Sequence, residues 1–343
     1  MRRNVVYPLA DRTHNYLGIL NILLICNARL PVFAYGGTER VVWDLAYALS
    51  VRGHRVRLLA AAGTTCPFAE VSSIDLRRPL KDQIADNTDI VHFHNRPEFD
   101  PDTDFLPYVY TQHGNETSAR PMPLNTVFVS KNHAHRFGSD QYVHNGLDWV
   151  LYGAPDFSRA RKWVHFLGNA AWKVKNLRGA IQVARDADEI LAVLGGHRLN
   201  FKRGFRFTLS PRVRFFGMVG GQQKMDLLNS SRGLIFPVIW DEPFGLAVIE
   251  SLYFGCPVFA SQRGSLPELI TADIGFLSND LEELASALRE HQFDALVCHQ
   301  HALERFSAQR MAEDYVKKYE NVISGASLSR TRPRQSPSNS LVV

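Results

Sequence analysis

Unbroken apolar runs alternate with amphipathic stretches along most of this 343-residue chain. Residues 19–26 (ILNILLIC) are dense in Leu and β-branched side chains, the pattern of a parallel strand buried on both faces. A loop ending in Gly36-Gly37 follows. Then Val41, Val42, Leu45, Ala48 and Leu49 recur at helical spacing, with Thr38 placed as the N-cap and Gly53 near the stop. Residues 56–61 return as a strand, completing a βαβ unit, and short strands are predicted at 89–93, 108–112 and 126–129. The second half restarts the pattern. A strand at 163–167 leads to a helix carrying Leu177, Ala180, Ile181 and Ala184, then to strands at 189–194, 233–238, 257–260 and 274–277. Helices are predicted at 222–230, after residue 242, at 281–291 and at 308–323. The expectation is an α/β protein of two parallel-sheet domains. The first spans 1–155 and the second 156–307, with a terminal helix over 308–323 and a disordered Ser-, Arg- and Pro-rich tail over 324–343.

Composition narrows the classes. The apolar content of 45% and charged content of 21% are ordinary for packed globular domains. The four cysteines stand singly, with no C-x-x-C, so neither a disulfide frame nor a zinc site is indicated and a reduced, cytoplasmic setting is expected. Residues 17–26 are too short an apolar run to span a bilayer. Met1-Arg2-Arg3 leads into polar residues, which argues against a secretory leader. A net charge of +5 favours anionic ligands or contact with an acidic membrane face, and a peripheral place at the inner membrane surface is compatible with it. The Arg-, Lys- and Phe-rich stretch 197–214 lies in no recognised nucleic-acid module, so it reads as a basic flank and no nucleic-acid partner is expected.

Candidate chemistry concentrates in residues 236–257, FPVIWDEPFGLAVIESLYFGCP. Glu242 falls in the turn after a buried strand and Glu250 within the following helix. A rise of roughly 1.5 Å per residue separates them by about 10–12 Å, the span from a hexose ring across a diphosphate to a ribose. Backbone amides of Phe244, Gly245 and Leu246 fall at that helix's start, where unpaired N–H groups and the helix dipole favour an anion. In the first half, G-x-G-x-x-G is absent, and Gly36-Gly37 is either a plain tight turn or a close-approach loop for phosphate. His92 and His94 share one face of a strand without a third metal-like ligand, and read as satisfied histidines. His113 falls just past a buried strand, where open α/β sheets place ligands.

The segment Glu242-Pro-Phe-Gly-Leu-Ala-Val-Ile-Glu250 resembles the E-x7-E element of retaining glycosyltransferases of the GT-B fold, especially family 4. The resemblance covers roughly residues 20–320 and includes the N-G-x-D turn at Asn145 and the Gly264-to-Glu268 turn. It implies two Rossmann-like domains facing a central cleft, with a nucleoside-diphosphate sugar as co-substrate and neither metal nor bound cofactor. Glu242 would meet the sugar hydroxyls and steady charge at the anomeric carbon, Glu250 would grip the ribose, and His113 would orient the sugar. Gly37, Lys175 and the start of the Gly245 helix would hold the diphosphate, and the turn at Met218 would meet the base. Asn169 stands where the family carries Arg, so Lys173 is the candidate substitute, although it lacks the bidentate fork. A UDP-hexose donor and a glycolipid or polysaccharide hydroxyl acceptor are expected. The rival readings are a nucleotide-sugar-binding protein without turnover and a GT-B phosphorylase or epimerase.

Overall fold

The structure, a computed structural model, describes residues 18–32, 36–97, 106–116, 120–200 and 206–325. The lead-in and nearly all of the basic tail read from the sequence lie outside these residues.

Two six-stranded, wholly parallel sheets organise the chain. In the first lobe β1 (Asn21–Cys26), β2 (Arg55–Ala60), β3 (Glu70–Ser73), β4 (Ile90–Phe93), β5 (Tyr108–Gln112) and β6 (Thr126–Phe128) lie in the order β3-β2-β1-β4-β5-β6. The helices of this lobe are α1 (Gly37–Val51) and α2 (Lys131–Arg136). In the second lobe β7 (Trp163–Leu167), β8 (Leu191–Leu194), β11 (Val213–Phe215), β12 (Ser231–Phe236), β13 (Val258–Ala260) and β14 (Gly275–Leu277) lie in the order β11-β8-β7-β12-β13-β14. A small ribbon, β9 (Leu199–Asn200) with β10 (Arg206–Phe207), is antiparallel. Helices α3 (Leu177–Asp186), α4 (Gly221–Asn229), α5 (Leu246–Tyr253), α6 (Leu266–Leu269), α7 (Leu281–Glu290) and α8 (Ala295–Arg305) complete this lobe. Both lobes begin on a central strand and build outward to either side, so each sheet has a point where strand order reverses.

The apolar runs became the strands because both faces of each sheet are covered. β4, β5, β6, β8 and β13 are buried at every position. The terminal helix α9 (Ala308–Ile323) contributes Ala308, Met311, Ala312, Tyr315 and Tyr319 to the core that contains β1 and α1 of the first lobe. Its entry is laced to the linker: Leu147 donates to the Phe306 carbonyl at 3.0 Å, and Ala308 to Leu147 at 2.9 Å.

The predicted cap of the first helix is corrected. Gly36, not Thr38, is the N-cap, at φ 147°, and no side chain caps this end. A backbone in the left-handed half of the map takes glycine more readily than threonine, so the turn tightens two residues earlier. Strand β3 and helices α2, α6 and α8 lie where no element was expected. β3 is an exposed edge, and α8 buries only Cys298 and Ala302, so neither shows a strong period.

Candidate active site

The reversal points put four loops at one edge. Those after β1 and β4–β5 carry Gly36-Gly37, His94 and His113. Those after β7 and β12 carry Lys173, Lys175 and the turn from Pro237 to Gly245. The two lobes meet here: a methyl group on Gly37 at the start of α1 would stand 3.3 Å from the Leu246 side chain at the start of α5. Gly245, at φ 104°, caps α5, and its carbonyl accepts the first-turn amide of Val248 at 2.9 Å.

The turn bearing Glu242 is gripped from several sides. Ser265 donates its backbone N–H to the Glu242 carbonyl at 2.9 Å. Gly264 at φ 61° lies so close that a Cβ there would collide with the Glu242 backbone. The first lobe braces the same turn, with Ser130 Oγ on the Pro243 carbonyl at 2.7 Å and Asn115 Nδ2 on the Asp241 carbonyl at 2.8 Å. Glu242 is 6% exposed. Its Oε2 accepts from Lys175 Nζ at 2.6 Å and from the Trp240 indole N–H at 2.7 Å. The ammonium of Lys175 also lies 5.1 Å from the ring centres of both Phe236 and Trp240, a double cation–π seat. Two bonds tie its loop to the Glu242 turn: Ile239 N–H to the Val174 carbonyl, 2.9 Å, and Asn176 Nδ2 to the Pro237 carbonyl, 2.9 Å.

Glu250 belongs to a different group of charges. It is 2% exposed and accepts from Arg40 of α1, from Lys224 of α4 and, at 2.7 Å, from the Tyr152 hydroxyl. Arg40 Nη1 also reaches that hydroxyl at 2.8 Å. Burial by itself would raise the Glu250 pKa, but Arg40 and Lys224 outweigh it and hold the carboxyl well below the usual range. Burial lowers the pKa of Lys224 against the pull of Glu250. The ribose contact that the resemblance implies for Glu250 would fall to a carboxylate already engaged by Arg40 of the first lobe and by Lys224 of its own lobe. Nearby Asp44 accepts the Asp148 amide at 3.0 Å; burial and the Asp148 carboxylate push its pKa up to about 7.

The histidines are sorted by their partners. His92 is buried with Nδ1 2.7 Å from the Tyr319 hydroxyl and Nε2 2.7 Å from Thr111 Oγ1, a satisfied core residue. His94 Nδ1 lies 3.0 Å from His113 Nε2. Burial lowers the His113 pKa to about 4, so this ring is neutral near pH 7. Among the described residues no group of three or more His, Cys, Asp or Glu is arranged to hold a metal ion.

The remaining expected residues separate. Lys173 is exposed and carries no ion pair among the described residues. Asn169 turns back on its own loop, accepting the Ala171 amide at 3.0 Å. Met218 is 40% exposed just past β11. In the basic stretch, Arg198 donates to the carbonyls of Thr208, Ser210 and Val213, so it closes its loop and does not face an anion. Arg40, Lys224 and Trp240 were missed from sequence. Arg40 stands three residues past Gly37 and Trp240 two residues before Glu242, but helical Lys224 gave no signal. A hollow of about 600 Å³ lined by Arg178, Arg185, Leu209 and Arg212 lies on the outer side of the second lobe, away from these loops.

Comparison with known proteins follows the same division. Residues 158–292, most of the second lobe, match the family model described as Glycosyl transferases group 1. An uncharacterised 41.2 kDa protein in the cps region of Klebsiella pneumoniae is 27% identical over 117 residues, which is 32% of this chain and 32% of that protein. The match thus spans about a third of that relative's length. AviGT4, a glycosyltransferase involved in avilamycin A biosynthesis, is similar at a TM-score of 0.68 and 20% identity, over 89% of this chain and 98% of that one. Sucrose-phosphate synthase from Thermosynechococcus elongatus gives 0.67 and 16%, over 90% and 100%. Anabaena HepE, in complex with UDP and glucose, gives 0.64 and 16%, over 88% and 99%. These likenesses establish the architecture as GT-B.

Proposed function

We propose that the chain is a retaining glycosyltransferase that moves a hexose-type sugar from a nucleoside-diphosphate donor, UDP favoured, to a hydroxyl acceptor. The observation that carries this reading is the Lys175–Glu242 pair. A carboxylate and a cation are locked together at the reversal point of the second sheet, opposite the glycine turn and neutral His113 of the first lobe. The family match over the second lobe supports transfer chemistry. The neighbour solved with UDP and glucose supports the choice of donor.

Glycosyl transfer builds positive charge at the anomeric carbon while the departing diphosphate gains negative charge. In the proposed arrangement Glu242 meets the sugar hydroxyls and steadies the first charge. Lys175, Lys173, the Gly37 turn and the amides at the start of α5 receive the second, without a metal ion. Neutral His113 donates to or accepts from a sugar hydroxyl, and the leaving phosphate assists deprotonation of the acceptor on the same face. Glu250 holds Arg40 across the lobes and Lys224 within its own, both through short bonds on Oε1; direct contact with ribose hydroxyls, as the resemblance implies, would fall to Oε2, which Arg40 Nη2 meets at 3.4 Å. A polysaccharide or lipid-linked acceptor is proposed, supported by the cps-region relative.

A thermal-shift screen against UDP, GDP, ADP and their glucose conjugates tests the reading. One nucleotide series should raise the melting temperature in proportion to the logarithm of its concentration. No shift with any of them contradicts the proposal.

A further inference from the structure

The backbone of the Glu242 turn is held by the contacts described above, but among the described residues its carboxylate is aimed by two donors, and both stand on Oε2. We infer that Trp240 is a positioning residue for Glu242. Its indole N–H fixes the carboxylate so that Oε1 is the oxygen left to meet a substrate hydroxyl. The catalytic consequence rests on the transfer reaction proposed above, in which Glu242 touches the donor sugar.

Three features separate Trp240 from an ordinary packing residue. An indole nitrogen only donates, so at 2.7 Å it commits Oε2 of Glu242 as its acceptor. Lysine on its flexible stem offers three rotatable N–H groups and cannot set the carboxylate plane alone, whereas a rigid ring can. The Trp240 ring also lies 5.1 Å from the Lys175 ammonium, so one side chain seats both members of the ion pair. Trp240 is itself seated. Trp172 meets it edge to face at 6.5 Å, and the preceding residue Ile239 is bonded to the Lys175 loop. Among the described residues no donor stands on Glu242 Oε1.

The test uses the full chain labelled with ¹⁵N. Its five tryptophans give five indole signals, and Trp240→Phe removes one, which assigns it while keeping a ring beneath Lys175. In Glu242→Gln that signal should move and the other four should hold, because a charge-assisted bond becomes a neutral one. With UDP-, GDP- and ADP-glucose as donors, Trp240→Phe should lower kcat by about tenfold. KM for the donor should stay within about twofold and the melting temperature near wild type. A packing role would do the reverse, lowering the melting temperature with kcat unchanged. An unmoved Trp240 signal in Glu242→Gln, or wild-type kcat in Trp240→Phe, overturns the inference. If the wild type turns over none of the donors, the transfer reaction falls, and the indole signal alone decides whether Trp240 aims Glu242.

Discussion

Glu250 shows how much one buried carboxylate can organise. With Arg40, Lys224 and Tyr152 on it, removing the acid leaves buried Lys224 and partly exposed Arg40 without their carboxylate. Breaking a buried ion pair from one side costs about 3–5 kcal/mol, far more than the pair's net worth. Glu250→Ala should therefore lower stability by about 3 kcal/mol in chemical denaturation, before any effect on nucleotide affinity is read. A loss under about 1 kcal/mol would show that solvent reaches the cluster. Asp44 gives a separate signature. Its folded-state pKa of about 7 is raised above the ordinary carboxylate value, so the folded state holds the proton more tightly. The stability this contributes is full below the usual pKa and is lost as pH climbs to about 7. Glu250, shifted the opposite way, loses its contribution only on acidification and is constant across that window. Asp44→Asn keeps the Asp148 acceptor without the charge, so melting temperature between about pH 5 and pH 8 should decline less than in wild type.

At the scale of elements, the turn at Gly264 to Glu268 ties the lobes together. Glu268 accepts from the amides of Lys131 and Asn132 at 2.8 and 2.9 Å, and His144 Nε2 stands 2.5 Å from it, so an acid of the second lobe caps α2 of the first. Glu268→Ala should lower stability by about 1 kcal/mol, as cap removal does, measured by denaturant midpoint. Gly264→Ala should do more, at least about 2 kcal/mol, because positive φ and the Glu242 backbone both reject a methyl group. An unchanged midpoint in Gly264→Ala would mean the turn is free to move. Buried strands and long amphipathic helices were legible in the sequence because an apolar run must be covered on both faces; β1, β5 and α9 follow from that alone. Edge strand β3, with no fully buried residue, and α8 were not, since their positions depend on what packs beside them. The site divides in the same way. Glu242 and Lys175 were singled out through the family resemblance and stand 2.6 Å apart, whereas the commitment of Glu250 depends on Arg40, 210 positions away in the chain.

For the whole molecule, the two sheets share one strand order about a central first strand, and α9 returns the chain's end to the first lobe. That arrangement brings four loops from distant parts of the chain to one edge, where a ligand spanning both lobes would be held. Among the described residues no helix is long and apolar enough to cross a membrane. The central claim is that Glu242, paired with Lys175, acts on a nucleotide sugar at this edge. Its most direct test is the release of nucleoside diphosphate from UDP-, GDP- and ADP-glucose by the wild type and by Glu242→Ala at equal, folded concentrations. The account predicts release from one donor by the wild type and a fall in kcat of at least about tenfold in the variant. Release from none of the three, or equal rates from both proteins, would contradict it.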